Sequence, residues 1–134
     1  MNSLARQNIL VVDDELEVRQ LMHAFLERRG YHVVTAATDL EALHLAGEMN
    51  FDLAIFDVAL SEADGLELLA TFKQLHPSLP VIMLTGMGYD DELLQEALEK
   101  GAAAYVAKTL PLDQILMEVH RALRLFAKKA LAVA

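Results

Sequence analysis

Short apolar runs alternate with longer segments of helical spacing along the chain, and this alternation limits the possible folds more than any other feature. Within each run nearly every residue is apolar, which is typical of strands buried on both faces of a parallel sheet. The fifth run is rich in alanine, and its place in the alternation identifies it as a strand. The runs are residues 9–12, 31–34, 53–56, 81–84 and 102–106.

Signals for the start of helices lie between these runs, where apolar side chains recur every three or four residues. A capping box at residues 38–41 opens the second helix, and Asp64 and Asp90 precede the third and fourth. Pro111 lies in the first turn of the fifth helix. Five strand–helix units predict an α/β fold, a doubly wound flavodoxin-like (βα)5 sandwich whose five-stranded parallel sheet has the order 2-1-3-4-5.

The composition excludes several classes of protein. The 134 residues suffice for one domain, which we expect to span residues 1–134 with its core at about 8–127. The absence of cysteine excludes a disulfide scaffold, a thiolate zinc site and cysteine nucleophile chemistry. The net charge of −9 argues against direct binding of nucleic acid, because such binding depends on neutralising phosphates. Since neither an export signal nor a membrane-spanning run is recognisable, we expect a soluble, cytoplasmic protein.

Ionisable and polar residues follow four of the five predicted strands. Asp13 and Asp14 follow the first strand and Asp57 follows the third. Thr85 follows the fourth strand and Lys108 the fifth. Ligands of open α/β sheets bind beyond the carboxyl ends of the strands. The predicted order places the first strand beside the third, so we expect the three aspartates to converge in one pocket.

Three carboxylates in one pocket repel one another, and a bound cation is needed to keep all of them ionised. Oxygen ligands with water completing the shell favour Mg²⁺. Lys108 and the Thr85 hydroxyl would flank Asp57 and face an incoming anion. The pattern therefore predicts a phosphoryl-transfer site with a carboxylate nucleophile.

Four motifs, each at the end of a predicted strand, resemble the receiver domain of two-component response regulators over about residues 8–127. Each motif is a weak signal alone, but the four in this order are specific together. They are Ile9-Leu10-Val11-Val12-Asp13-Asp14-Glu15, then Asp57 followed by Asp64-Gly65, then Thr85-Gly86, and finally Tyr105-Val106-Ala107-Lys108.

The resemblance implies a role for each matching residue in the pocket. Asp57 would accept a phosphoryl group from the phosphohistidine of a sensor histidine kinase and would also belong to the magnesium site. Asp14 would bind Mg²⁺ directly and Asp13 through a water molecule. The backbone carbonyl of Ala59 would be a further ligand.

The resemblance also implies a conformational switch. Lys108 would pair with one phosphoryl oxygen, and Thr85 would hydrogen-bond another. Thr85 would move when phosphate arrives, and Tyr105 would swing inward to fill the vacated space. The change would reach the face formed by the fourth helix, the fifth strand and the fifth helix.

Two positions depart from the family pattern. Ser61 stands where proline is common, which would loosen the loop after Asp57 with little effect on the chemistry. Thr109 stands where a proline joined by a cis peptide usually follows the lysine. A cis bond to any other residue costs roughly 3–4 kcal/mol. We therefore expect a trans Lys108–Thr109 bond, a rebuilt loop and a different path for the lysine side chain.

The function implied by the resemblance is a signalling switch that turns over no external metabolite. Its partners would be a sensor histidine kinase or histidine phosphotransfer protein, and a downstream protein target or an output domain. The chain would be a monomer or a weak dimer. Two alternatives stay open. A magnesium-dependent phosphohydrolase would usually have a second aspartate where Ala59 stands, and a pseudo-receiver would bind partners without phosphate.

Simpler roles are also possible for the same residues. The acidic pair after the first strand could cap a helix, Asp57 or Thr85 could be turn residues, and Lys108 could be solvated. Tyr105 could serve packing alone. Asp64 and Gly65 are assigned to a helix cap and a turn rather than to the site, and the five histidines show no metal-ligand spacing.

Overall fold

The computed structural model describes residues 6–60, 63–86, 90–109 and 111–133, and this part of the chain contains seven strands and five helices. The strands are β1 (Asn8–Val12), β2 (His32–Ala36), β3 (Leu53–Asp57), β4 (Ala59–Leu60), β5 (Ala63–Asp64), β6 (Val81–Thr85) and β7 (Ala104–Ala107). The helices are α1 (Leu16–Arg28), α2 (Asp39–Glu48), α3 (Gly65–Leu75), α4 (Asp91–Glu99) and α5 (Leu112–Val133).

Five of the strands form one parallel sheet in the order β2-β1-β3-β6-β7. The doubly wound α/β fold is confirmed, since this is the order 2-1-3-4-5 once the two short strands are left out of the count. β4 and β5 pair antiparallel in a separate hairpin directly after Asp57, with Ala59 opposite Asp64. The hairpin was not predicted, because strands of two residues leave no periodic pattern.

Alternate residues of the central strands enter two hydrophobic cores on opposite faces of the sheet. In β3, Ala54 and Phe56 pack with residues of α2, α3 and α4 on one face. Leu53 and Ile55 pack with residues of α1 and α5 on the other face. Every residue of β3 and β6 is buried, which is why these runs are apolar almost throughout.

Backbone hydrogen bonds at helix ends move the start of two strands from their predicted positions. At the end of α4, the N–H of Ala102 donates to the carbonyl of Ala97, while Gly101 adopts a φ of +100°. This Schellman motif uses Ala102 to close the helix, so β7 begins only at Ala104. Tyr31 closes α1 in the same way, which delays the start of β2 by one residue.

The first turns of three helices are capped at the predicted positions. The side chains of Thr38, Asp64 and Asp90 accept hydrogen bonds from backbone N–H groups of α2, α3 and α4. α5 begins at Leu112, so Pro111 immediately precedes the helix instead of lying in its first turn. Within the described ranges, no helix is long and apolar enough to cross a membrane.

Candidate functional site

The carboxyl edge of the sheet brings together most of the polar residues that the sequence analysis singled out. Asp13 follows β1, Asp57 ends β3, and Lys108 follows β7. One carboxylate oxygen from each of Asp13, Asp14 and Asp57 lies within 4.8 Å of the others. The predicted convergence of the three aspartates is therefore present in the structure.

Lys108 lies between three carboxylates. Its Nζ is 3.0 Å from Asp57 Oδ2, 2.9 Å from Asp13 Oδ2 and 2.8 Å from Glu15 Oε1. Burial alone would lower the pKa of Lys108, but the surrounding carboxylates, Glu15 first, outweigh burial and raise the pKa above its ordinary value. The lysine is therefore a permanent positive charge at this site.

Asp57 is almost fully buried at the end of β3. Its Oδ1 accepts a hydrogen bond from the N–H of Ala59 at 3.1 Å, and its Oδ2 accepts one from Lys108. Burial raises the pKa of Asp57, and the negative charge of Asp13 adds to this effect. The hydrogen bond from Lys108 opposes the rise without cancelling it. Additional positive charge near Asp57 would therefore stabilise its ionised form.

Asp13 has one carboxylate oxygen that the described residues leave without a hydrogen bond. Oδ1 accepts from the N–H of Glu15 at 2.9 Å, in a turn that directs the carboxylate into the pocket. Oδ2 is buried and accepts no hydrogen bond, although Lys108 lies within ion-pair distance. This oxygen is available as a ligand.

The three aspartates form an oxygen donor set that fits a hard divalent cation. Mg²⁺ and Ca²⁺ both prefer carboxylate and carbonyl oxygens. If a cation bound between Asp13, Asp14 and Asp57, the buried Asp13 Oδ2 would gain a second positive neighbour beside Lys108, and the raised pKa of Asp57 would fall. The site geometry is thus consistent with the predicted metal.

Thr85 is buried at the end of β6, next to the base of Lys108. Its carbonyl accepts the backbone N–H of Lys108 at 2.8 Å, which fixes where the lysine side chain begins. Tyr105 lies in β7 and packs at the edge of the core that contains α2, α3 and α4. Among the described residues, its buried hydroxyl has no hydrogen-bond partner.

The two departures from the family pattern have different outcomes. The described residues include no cis peptide, so the Lys108–Thr109 bond is trans. Lys108 nevertheless reaches Asp57. Ser61 lies outside the described residues. Ala59, the predicted carbonyl ligand, is exposed in β4 and contacts Asp57 through its N–H.

The structure adds three residues that sequence reasoning did not place in the site. Glu15 pairs with Lys108, and the guanidinium of Arg19 donates to the carbonyl of Asp13 at 2.8 Å. Gly65 begins α3 so close to the acceptor that a Cβ would lie 2.0 Å from the carbonyl oxygen of Asp57. The sequence signal for Gly65 was its place directly after the Asp64 cap, which was assigned to a turn alone.

The sequence profile of the response regulator receiver domain matches residues 9–120. This chain belongs to that family. A receiver domain implies phosphorylation-dependent signalling rather than turnover of a metabolite. The structure agrees with the assignment, because the aspartates and the lysine of the family motifs meet at one edge of the sheet.

The receiver domain is similar to known proteins along most of its length. The transcriptional regulatory protein ZraR of Klebsiella oxytoca is 37% identical over 116 residues, which cover 87% of this chain and 26% of ZraR. The chain thus spans about a quarter of the length of this relative.

Solved receiver structures resemble the fold closely. A CheY-like receiver domain protein from Methanospirillum hungatei has a TM-score of 0.88 and 32% identity, covering 93% of this chain and 99% of that one. A response regulator from Burkholderia pseudomallei, solved with a phosphorylated aspartic acid, calcium ion and citrate, has a TM-score of 0.80 and 34% identity. That match covers 94% of this chain and 74% of the other.

Proposed function

We propose that Asp57 accepts a phosphoryl group in a Mg²⁺-dependent reaction and that the donor is the phosphohistidine of a sensor histidine kinase or a histidine phosphotransfer protein. The observation that carries this proposal is the position of the Asp57 carboxylate. It is held between the ammonium of Lys108 and the N–H of Ala59, with Asp13 and Asp14 at ligand distance.

In the proposed reaction, a carboxylate oxygen of Asp57 attacks phosphorus while the bond between phosphorus and the histidine nitrogen breaks. The products are an acyl phosphate on Asp57 and a histidine that takes up a proton where needed. When bound by the three aspartates, Mg²⁺ supplies positive charge that offsets the carboxylates and the phosphoryl oxygens. Lys108 pairs with one phosphoryl oxygen as a fixed charge, and the Thr85 hydroxyl donates to another.

The signal leaves the site through β6 and β7, which carry Thr85 and Tyr105 and are neighbours in the sheet. Thr85 moves toward the phosphoryl group, and Tyr105 follows into the space that becomes free. The unpartnered hydroxyl of Tyr105 supports this, since no hydrogen bond within the described residues holds the ring in its position. The surface formed by α4, β7 and α5 then changes shape and contacts the next protein.

The partners follow from the same role. A kinase or phosphotransfer protein supplies the phosphoryl group, and a downstream protein or an output domain reads the α4–β7–α5 surface, with the chain itself a monomer or weak dimer. The Burkholderia pseudomallei structure supports the chemistry, because that similar protein holds both a phosphorylated aspartic acid and a divalent cation. ZraR, with most of its length outside the match, supports an output domain in the whole protein.

Intact-mass spectrometry after incubation with acetyl phosphate tests the proposal. We expect one added phosphoryl group in the presence of Mg²⁺ and none in its absence. Asp57→Asn should abolish the adduct, whereas Asp113→Asn, an equal charge change at an exposed position in α5, should retain it. An unlabelled wild type beside a receiver domain that does label would overturn acceptance from small donors and favour a pseudo-receiver.

A further inference from the structure

The three carboxylates around Lys108 differ in their surroundings. The side chains of Asp13 and Asp57 are 1% and 5% exposed, whereas that of Glu15 is 60% exposed. Glu15 still accepts a hydrogen bond from Lys108 Nζ at 2.8 Å, across a separation of 93 residues in the chain. An exposed glutamate therefore contacts the lysine of a buried site.

Of the three carboxylates that pair with Lys108, Glu15 is the one that does not belong to the candidate metal site. Asp13 and Asp57 belong to the group of three carboxylates that could hold a cation. A cation bound there would share the carboxylates of Asp13 and Asp57 with Lys108. Glu15 is not one of these three carboxylates, so its carboxylate would still be free to pair with Lys108 when a cation is bound.

The donors of Lys108 allow this contact to persist during phosphorylation. An ammonium has three N–H donors, and the hydrogen bonds to Glu15 and Asp57 use different ones. A phosphoryl oxygen on Asp57 can take the donor that now points at the carboxylate. The bond between Lys108 and Glu15 does not have to break.

Hydrogen bonds fix the backbone of Glu15, whereas its side chain does not cap the helix. The N–H of Glu15 donates to Asp13 Oδ1, and its carbonyl accepts the N–H of Arg19 in the first turn of α1. Glu15 occupies the N-cap position of α1, yet its side chain makes no capping hydrogen bond. The side chain of Glu15 therefore starts from a fixed backbone position, and its carboxylate is available to Lys108.

We propose that Glu15 is a positioning residue that holds the Lys108 ammonium beside Asp57 during phosphoryl transfer. This inference rests on the proposed function of Asp57. The contribution is that of a solvent-exposed ion pair, so removing it should change the measured rates by about two- to five-fold. Glu15→Gln removes the charge with little change in shape, and Glu17→Gln is the matched control on the exposed surface of the same helix.

The first test follows the lysine itself and needs no phosphorylation. Lysines are acetylated with a limiting amount of an N-hydroxysuccinimide ester in the presence of Mg²⁺, and the extent at each position is measured by peptide mass spectrometry. Lys100, which pairs with Glu67 and Glu96, serves as the internal reference. We expect Glu15→Gln to raise the acetylation of Lys108 two- to five-fold relative to Lys100, and Glu17→Gln to leave it unchanged.

The second test follows the rate of phosphoryl acceptance from acetyl phosphate. Glu15→Gln should slow labelling two- to five-fold in the wild-type background and have no further effect in Lys108→Ala. A general structural role for Glu15 would instead slow labelling in both backgrounds. Equal reactivity of Lys108 in wild type and Glu15→Gln overturns the role of Glu15, even when Asp57 labels normally. Failure of the wild type to label, beside a receiver domain that does label, overturns acceptance from small donors and favours a pseudo-receiver, an outcome that the acetylation of Lys108 distinguishes from failure of the role of Glu15.

Discussion

The ammonium of Lys108 lies 3.0 Å from Oδ2 of Asp57, although 51 positions separate the two residues in the chain. The backbone N–H of Lys108 is also fixed, since it donates to the carbonyl of Thr85. β6 thus holds the lysine by its backbone, and the neighbouring strand β3 holds it by its side chain. The parallel sheet, and not a local segment of sequence, assembles this charge pair.

Removing the Lys108 ammonium leaves the carboxylates of Asp13 and Asp57 without their buried counter-charge. We expect Lys108→Ala to lower the free energy of unfolding in the absence of Mg²⁺ by about 3 kcal/mol. Added Mg²⁺ should stabilise this variant more than wild type. Urea unfolding with and without Mg²⁺ measures both effects. Lys100→Ala is the control, because its longer surface ion pairs predict a loss below about 1 kcal/mol. Equal losses of unfolding free energy in the two variants would contradict the role of Lys108 as the buried counter-charge of the two aspartates.

The buried Oδ2 of Asp13, which lies at ion-pair distance from Lys108 but accepts no hydrogen bond from the described residues, predicts an effect of Asp13 on metal binding. Asp13→Asn removes a negative charge from the cluster, so the affinity for Mg²⁺ should fall by about tenfold or more. Isothermal titration calorimetry measures this affinity. Asp113→Asn carries the same charge change outside the site and should bind like wild type. An Asp13→Asn variant with wild-type affinity would remove Asp13 from the ligand set.

The contact between Gly65 and the acceptor strand predicts that even one methyl group is too large at this position. We expect Gly65→Ala to lower the free energy of unfolding by about 2 kcal/mol or more, because the Cβ would overlap the backbone carbonyl of Asp57. Phosphoryl acceptance should slow as the acceptor is displaced.

Gly47 provides the matched control for this substitution. It is the second-last residue of α2, and a Cβ there would meet nothing within 4 Å. Gly47→Ala should therefore stabilise the protein by about 0.5–1 kcal/mol through helix propensity. Chemical denaturation of both variants gives the two values, and losses of similar size would contradict the close approach at Gly65.

The lowered pKa of Glu27, a residue outside the candidate site, predicts that the stability of the protein depends on pH. The hydrogen bond from the N–H of Val33 lowers the pKa of Glu27, and the guanidinium of Arg6 contributes, while burial opposes the shift. A carboxyl with a lowered pKa in the folded state adds stability above its ordinary pKa of 4.5, and this stability is lost as the pH falls through the folded value.

Glu27→Gln tests this dependence. At pH 7 the variant should be less stable than wild type by about 1 kcal/mol, because a charge-assisted hydrogen bond becomes a neutral one. The difference should shrink as the pH falls below 4.5. Urea unfolding across this pH range measures it. A difference that stays constant with pH would show that the ionised carboxylate of Glu27 is not responsible.

Much of the fold could be predicted because burial on both faces of the sheet leaves a direct mark on the sequence. β3 and β6 are apolar until their last residues, Asp57 and Thr85, so these two polar side chains are conspicuous. Since parallel strands end at the same edge, the meeting of Asp13 and Asp57 followed from the strand order.

Other parts of the site depend on distances that no local pattern encodes. The contact of Glu15 with Lys108 requires one long side chain to reach another across the ends of two strands that are not neighbours in the sheet. The need for glycine at position 65 arises from the approach of α3 to the carbonyl of Asp57. In sequence, both residues have ordinary local explanations, as part of an acidic run and as a turn.

The hydrogen bond from the N–H of Gly65 to the carbonyl of Val58 has a practical consequence for spectroscopy. The chain contains six glycines, whose amide signals form a small, separate group in a nitrogen–proton correlation spectrum. The Gly65 signal reports on the backbone immediately after Asp57, because its chemical shift depends on the length of this bond. Displacement of the acceptor segment can therefore be followed in real time in uniformly labelled protein, without attaching any dye or tag.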